Sequence, residues 1–275
     1  MSYDRLLTSR ASRDASAGHA LLATQAPRMP WDVFTRNVFS PHPGEHVAII
    51  GPTGQGKTVL QTAILPFFPF VAVFATKPVD RSMKELITNQ GYKRLARWYR
   101  LDAFDVPRRV IWPDATRLNA VATQRKVFAH AFESIFREGG RPEHSPVGWA
   151  VGIDELWYIV NVLGLDEAVK LFLLQGRSLG HSLIVATQRP SKVPLEVYDQ
   201  STHLFYFRDN DRRNLDRLSE INARDSALVK LIVQNLDQHQ VLYINTRTGQ
   251  MVRTRTPVPT GGVAERRFWN LYGKA

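Results

Sequence analysis

With 275 residues, 44% of them hydrophobic, the chain is long enough for one large α/β domain with short appendages. The lack of cysteine excludes disulfides and thiolate metal sites; with no run near the ~18 apolar residues of a membrane span and no apolar leader among Asp4, Arg5, Arg10, Arg13 and Asp14, a soluble, cytoplasmic protein is expected. The net charge of +11 and pI near 10.1 fit a polyanionic partner or a merely basic surface.

Residues 1–30 are rich in Ser, Ala and Arg and end at Pro27 and Pro30, which predicts an N-terminal arm, mobile or docked as a short helix. One main domain is expected over 31–256 and a basic tail over 257–275. Within the domain, an irregular lead-in over 31–44 precedes a strand over 46–50, a glycine-rich loop over 51–58, and a helix that Pro66 ends. The apolar run 70–75 reads as a parallel strand buried on both faces, followed by a turn over 76–80 and a helix over 82–88. Residues 92–100 interleave Lys93, Arg94, Arg97 and Arg100 with Tyr92, Trp98 and Tyr99. That is a nucleic-acid contact surface, or a solvated basic helix face with its aromatics turned to the core.

Further strands are expected at 109–112, 147–153, 181–186 and 203–207, with a polar loop over 141–146. Helices are expected at 116–137, 166–179, 211–221 and 225–234, and a closing hairpin pairs 240–244 with 251–255 around Thr248-Gly249. Strands alternating with helices predict an α/β fold: a mostly parallel central sheet with helices on both faces, plus the C-terminal hairpin.

The chemistry is concentrated in three places. Gly51, Pro52, Thr53, Gly54, Gln55, Gly56, Lys57 and Thr58 fit the pattern G-x-x-x-x-G-K-[ST] between a strand and a helix. Glycines allow a tight concave loop whose N–H groups turn inward, and the helix N-terminus adds positive potential. Lys57 is expected on the β- and γ-phosphates of ATP, and the Thr58 hydroxyl on Mg²⁺. Asp154 ends a buried strand, where ligand sites of open α/β sheets lie, and is the second expected Mg²⁺ group. Glu155 follows as the general base for the attacking water. Gln188, at the end of the next strand, is placed to touch both γ-phosphate and water.

The order Gly51–Thr58, then residues 151–155, 175–181 and 186–191, resembles the FtsK/HerA group of ring-forming DNA-pumping ATPases over roughly residues 45–210. The resemblance implies a RecA-like P-loop NTPase of the ASCE class. It implies an ATP-driven double-stranded DNA translocase working as a homo-oligomeric ring, pentamer or hexamer, similar to phage genome-packaging ATPases that meet a portal or capsid. It also implies that Arg177, in Gly176-Arg177-Ser178, serves a neighbouring subunit's nucleotide; Arg189, Arg208 and Arg212 are rivals. The acidic residue usual before Lys77-Pro78 is here Thr76, which leaves the role of Lys77 open. A conjugation-type DNA pump, an assembly or secretion ATPase that moves protein, and a nucleotide-gated binding module are the alternatives.

Overall fold

The structure, a computed structural model, describes residues 25–139, 147–221 and 226–257. The expected arm before residue 25, the 141–146 loop and the tail beyond 257 lie outside the described residues.

The elements in order are α1 (Trp31–Asn37), β1 (His46–Ile50), α2 (Lys57–Ile64), β2 (Val71–Phe74), α3 (Arg81–Asn89), β3 (Lys93–Leu95), β4 (Arg108–Ile111), α4 (Ala120–Glu138), β5 (Ala150–Ile153), α5 (Asp166–Gln175), β6 (Ser182–Thr187), α6 (Glu196–Asp199), β7 (Ser201–Phe207), α7 (Arg212–Ile221), α8 (Ser226–Gln234), β8 (Gln240–Asn245) and β9 (Met251–Arg255). They form one nine-stranded sheet in the order β3-β4-β2-β5-β6-β1-β7-β8-β9. The first seven strands in that order run parallel; β8 and β9 pair antiparallel.

Alternation along each strand sends side chains to both faces, so the central strands are apolar throughout. Ala48, Ile50, Ala72 and Phe74 pack with Phe128, Phe132 and Phe172 of α4 and α5 on one face. Val47, Ile49, Val71 and Val73 pack with Phe34, Leu60, Ile64 and Met83 of α1, α2 and α3 on the other. The outer edge of β9 is met by residues 27–29: the Arg253 N–H donates to the Pro27 carbonyl and the Met29 N–H to the Arg253 carbonyl, each at 2.9 Å. That pairing covers an edge otherwise open to association.

Three elements differ from expectation. The basic stretch at 92–100 is not a helix: β3 pairs with β4 in register Lys93↔Arg109, and a loop follows. Arg109 dictates that loop. Its fully buried guanidinium lies between Trp98 and Trp149, 4.5 and 4.4 Å from their centroids, and donates to the carbonyls of Tyr99, Leu101, Asp102 and Val106. Five donors in a fixed plane satisfy four backbone carbonyls of the irregular segment between β3 and β4. The helix expected to reach residue 179 ends at Gln175 and tightens into a 3₁₀ turn, Gly176–Leu179, closed by Gly180 at φ 75°. A single π-turn, Tyr158–Val162, follows β5 where no element was expected.

Two histidines are held neutral in the interior. His46 Nδ1 accepts from the Leu183 N–H at 2.9 Å, and His181 Nδ1 accepts from the Trp149 N–H at 2.9 Å. Burial lowers the pKa of each from 6.5 to about 4. The unfolded chain therefore binds protons that the folded chain refuses between pH 6.5 and 4. Stability is full above pH 6.5 and falls as pH drops, by about 3 kcal/mol for each histidine by pH 4. Urea unfolding at pH 7 and pH 5 checks this: the midpoint drops markedly at pH 5, and His181→Gln flattens the dependence. Equal midpoints at both pH values would contradict the buried neutral pair.

Candidate nucleotide site

The loop between β1 and α2 turns on two glycines in the left-handed region, Gly54 at φ 79° and Gly56 at φ 106°. Gly56 is the N-cap of α2, so the helix begins at Lys57 with its free N–H groups directed at the loop. Lys57 Nζ donates to the Pro52 carbonyl at 2.8 Å, which folds the lysine back over the loop's concave side.

Thr58 Oγ1 donates to Asp154 Oδ1 at 2.7 Å, and Lys77 Nζ donates to Asp154 Oδ2 at 2.9 Å. Burial opposes charge on Lys77, but Asp154, assisted by Asp80, outweighs it and raises the ammonium's pKa. Lys77 is thus a member of the site that motif reading left undecided. Asp80 lies 3.6 Å from the same ammonium and is also the cap of α3. The spacing Lys77-x-x-Asp80 was the signal in the sequence.

Glu155 follows Asp154 beyond β5. Burial raises its carboxyl pKa, opposed mainly by the charge of Lys57, and its Oε1 is buried without a hydrogen-bond partner. Burial lowers the pKa of Lys57 in turn, opposed by Glu155 and Asp154. The two groups therefore share one electrostatic environment. Gln188 arrives from β6, which lies between β1 and β5, and its Oε1 accepts from Thr53 Oγ1 at 2.6 Å.

Beneath the site, the fully buried Gln61 of α2 donates through Nε2 to the carbonyls of Ile153 and Ile184, at 2.9 and 2.8 Å. One side chain thereby ties the helix behind the phosphate loop to the strands carrying Asp154 and Gln188. Sequence reading missed Gln61, because a polar residue one turn into an apolar helix is legible only once both neighbouring strands are known.

The donor set fits Mg²⁺. That ion takes one or two carboxylates plus phosphate and water oxygens, and Thr58 and Asp154 offer a hydroxyl and a carboxylate already in contact. Among the described residues no group of three His, Cys, Asp or Glu side chains is arranged to hold a metal alone, so phosphate and water oxygens would complete the shell.

Arg177 lies elsewhere. Its 3₁₀ turn is exposed at the amino end of β1: a Cβ on Gly44, at φ 86° just before that strand, would sit 2.9 Å from the Arg177 carbonyl. The phosphate loop is at the carboxyl end, about 16 Å away along a five-residue strand. Arg177 is therefore out of reach of its own chain's loop. Arg189 stacks on Trp157 at 4.9 Å, whereas Arg208 and Arg212 are exposed beyond the carboxyl end of β7. Lys93, Arg94, Arg97 and Arg100 are exposed at the far edge of the sheet, on β3 and its loop. Arg94 lies over Trp112 and Arg97 over Tyr99, at 4.6 and 5.1 Å, while Tyr92 and Trp98 are buried.

No protein-family model and no curated protein matches the sequence. Solved structures do match in fold. The genome packaging NTPase B204 of Sulfolobus turreted icosahedral virus 2, in complex with AMPPCP, is 18% identical with a TM-score of 0.54, covering 79% of this chain and 100% of that one. The pCW3 conjugation coupling protein TcpA, with ATPγS, is 16% identical with a TM-score of 0.51, covering 83% and 65%. EccC of Thermomonospora curvata (ATPases 2 and 3), in complex with a signal sequence peptide, is 12% identical with a TM-score of 0.52, covering 79% and 37%. The chain shares the mixed α/β fold of these proteins, with a mostly parallel central sheet.

Proposed function

We propose that the chain is an ATP-driven double-stranded DNA translocase that works as a homo-oligomeric ring, of the genome-packaging kind. One observation carries the hydrolytic part: Lys57, Thr58, Asp154, Glu155 and Gln188 converge at the carboxyl edge of the sheet, with the Gln188 strand between the other two.

Each residue's task follows from its surroundings. Lys57 exchanges the Pro52 carbonyl for phosphate oxygens, while the loop N–H groups and the α2 N-terminus bind the rest of the triphosphate. Thr58 and Asp154 would hold Mg²⁺, which would supply neutralisation of the phosphate charge. Lys77, bonded to the other carboxylate oxygen, orients Asp154. Glu155 takes the proton of the attacking water: its Oε1 is open, and burial makes it more basic than an exposed carboxylate. Gln188, bonded to Thr53, conveys the state of the phosphate loop to β6. Arg177, remote from its own loop, serves the site of the next subunit, where a planar permanent charge suits the transferring phosphoryl group.

Two considerations support DNA as the moved polymer. The chain carries a net charge of +11, and two fold relatives act in genome packaging and in conjugation. A motor that moves along any sequence grips phosphates, and Lys93, Arg94, Arg97 and Arg100 form an exposed basic surface suited to that. A portal or capsid is the partner this reading supplies. Protein movement is the second reading, favoured by the likeness to EccC; among the described residues no helix is long and apolar enough to cross a membrane.

The test is ATP turnover with and without double-stranded DNA over a salt series. Stimulation at low salt that disappears steeply as salt rises is expected, since neutralising several phosphates releases as many counterions. Unstimulated turnover at low salt would leave an ATPase and remove the DNA.

A further inference from the structure

Two strands away from β1, the hairpin β8–β9 nonetheless touches the phosphate loop. The residue that does so is His239, in the turn that enters β8, and at φ 61° it is the one non-glycine residue in the left-handed region among the described residues. Such a backbone costs of order 1 kcal/mol and persists where its surroundings over-determine it. Here they do. His239 Nδ1 lies 3.0 Å from the Gln55 carbonyl oxygen, and the Thr256 N–H donates to the His239 carbonyl at 3.1 Å. A carbonyl only accepts, so Nδ1 carries the proton. A Cβ on Gly56 would stand 3.4 Å from His239 Nδ1 and 3.3 Å from Thr256 Cγ2. The turn is thus seated against the residue that caps α2 and aims its N–H groups.

The loop is consequently held from both sides. Thr53 bonds Gln188 on the side of Asp154 and Glu155, and Gln55 bonds His239 on the side of the hairpin. The first contact belongs to the hydrolytic constellation; the second joins no group that meets the γ-phosphate. Nothing in the phosphate-loop pattern requires it.

We propose that His239 is a positioning residue for nucleotide binding: its Nδ1–H holds the Gln55 peptide so that the phosphate loop keeps its receptive shape, and it couples that loop to the β8–β9 hairpin. The inference rests on the reading of Gly51–Thr58 as an ATP site. Coupling is reciprocal, so bound nucleotide stiffens the hairpin as the hairpin stiffens the loop.

Side-chain geometry supplies the test. The amide nitrogen of asparagine can occupy the position of His Nδ1, and asparagine tolerates the left-handed region; glycine relieves the backbone but donates nothing. In the full chain, equilibrium binding of a fluorescent ATP analogue is measured for His239→Asn and His239→Gly, with amide exchange over β8–β9 in its absence and presence. The glycine variant is expected to bind about fivefold more weakly with kcat at saturation unchanged, which is the worth of one ordinary hydrogen bond. The asparagine variant binds within about twofold of the parent. Nucleotide slows hairpin exchange in the parent and in His239→Asn but not in His239→Gly. Glycine binding as tightly as the parent, or asparagine as weakly as glycine at an unchanged melting temperature, would overturn the proposal while the ATP site stood. If the parent chain itself bound no ATP analogue, the ATP site would fall and the positioning role with it.

Discussion

Lys57→Ala is expected to reduce ATP turnover by at least ~10²-fold and to weaken ATP binding sharply, while the fold persists. The lysine is buried in the lap of the loop, and it donates to the Pro52 carbonyl, a bond that water can replace. Little stability is therefore lost with it. Its charge is another matter. Burial lowers its pKa, and the charges of Glu155 and Asp154 oppose that shift in favour of the ammonium. A charge in a buried place acts on phosphate oxygens far more strongly than it would in water. Removing it also leaves Asp154 and Glu155 facing the triphosphate with one cation fewer to offset them. Calorimetric titration with an ATP analogue and a phosphate-release assay check both halves; turnover retained by a pure Lys57→Ala preparation would remove the phosphate-loop assignment.

Glu155→Gln should give the opposite pattern, with nucleotide bound and turnover lost by about 10²- to 10⁴-fold, the range a positioned general base contributes. Glutamine keeps the shape and loses only the ability to accept a proton as a carboxylate. Because the native carboxyl is desolvated, this change also relieves a buried charge, so melting temperature should hold or rise. The same raised pKa has a consequence in the parent protein. A base works only when deprotonated, so activity should decline on the acidic side at a higher pH than an exposed glutamate would dictate. Filter-binding of labelled ATP beside single-turnover release distinguishes trapped substrate from unbound substrate. Unchanged release by Glu155→Gln would point to another base.

How much of this was legible before the fold was known depended on the kind of signal. The phosphate loop, Asp154-Glu155 and Gln188 were legible because each ends a run of strand-length apolar residues, and in a parallel sheet every such end lies on one edge. The order of strands was not. That β6 lies between β1 and β5 is a long-range pairing, and with it came Gln61, whose two carbonyl partners are 92 and 123 residues away. Lys77 was visible only as half of a pair, since its partner Asp154 is 77 residues distant. His239 left no trace in periodicity at all, because a single left-handed residue in a turn has no pattern to break. The basic stretch at 92–100 misled for a local reason: its charges and aromatics suit a helix face as well as an edge strand, and Arg109, outside the stretch, decides between them.

Displacement of a third strand from a DNA triplex by the protein and ATP tests the central reading most directly, because it registers movement along duplex DNA and not binding or turnover alone. Release of the third strand by the parent chain, dependent on ATP and absent for Glu155→Gln, is the result expected. ATP turnover at full rate on the same DNA with the triplex left intact would contradict it.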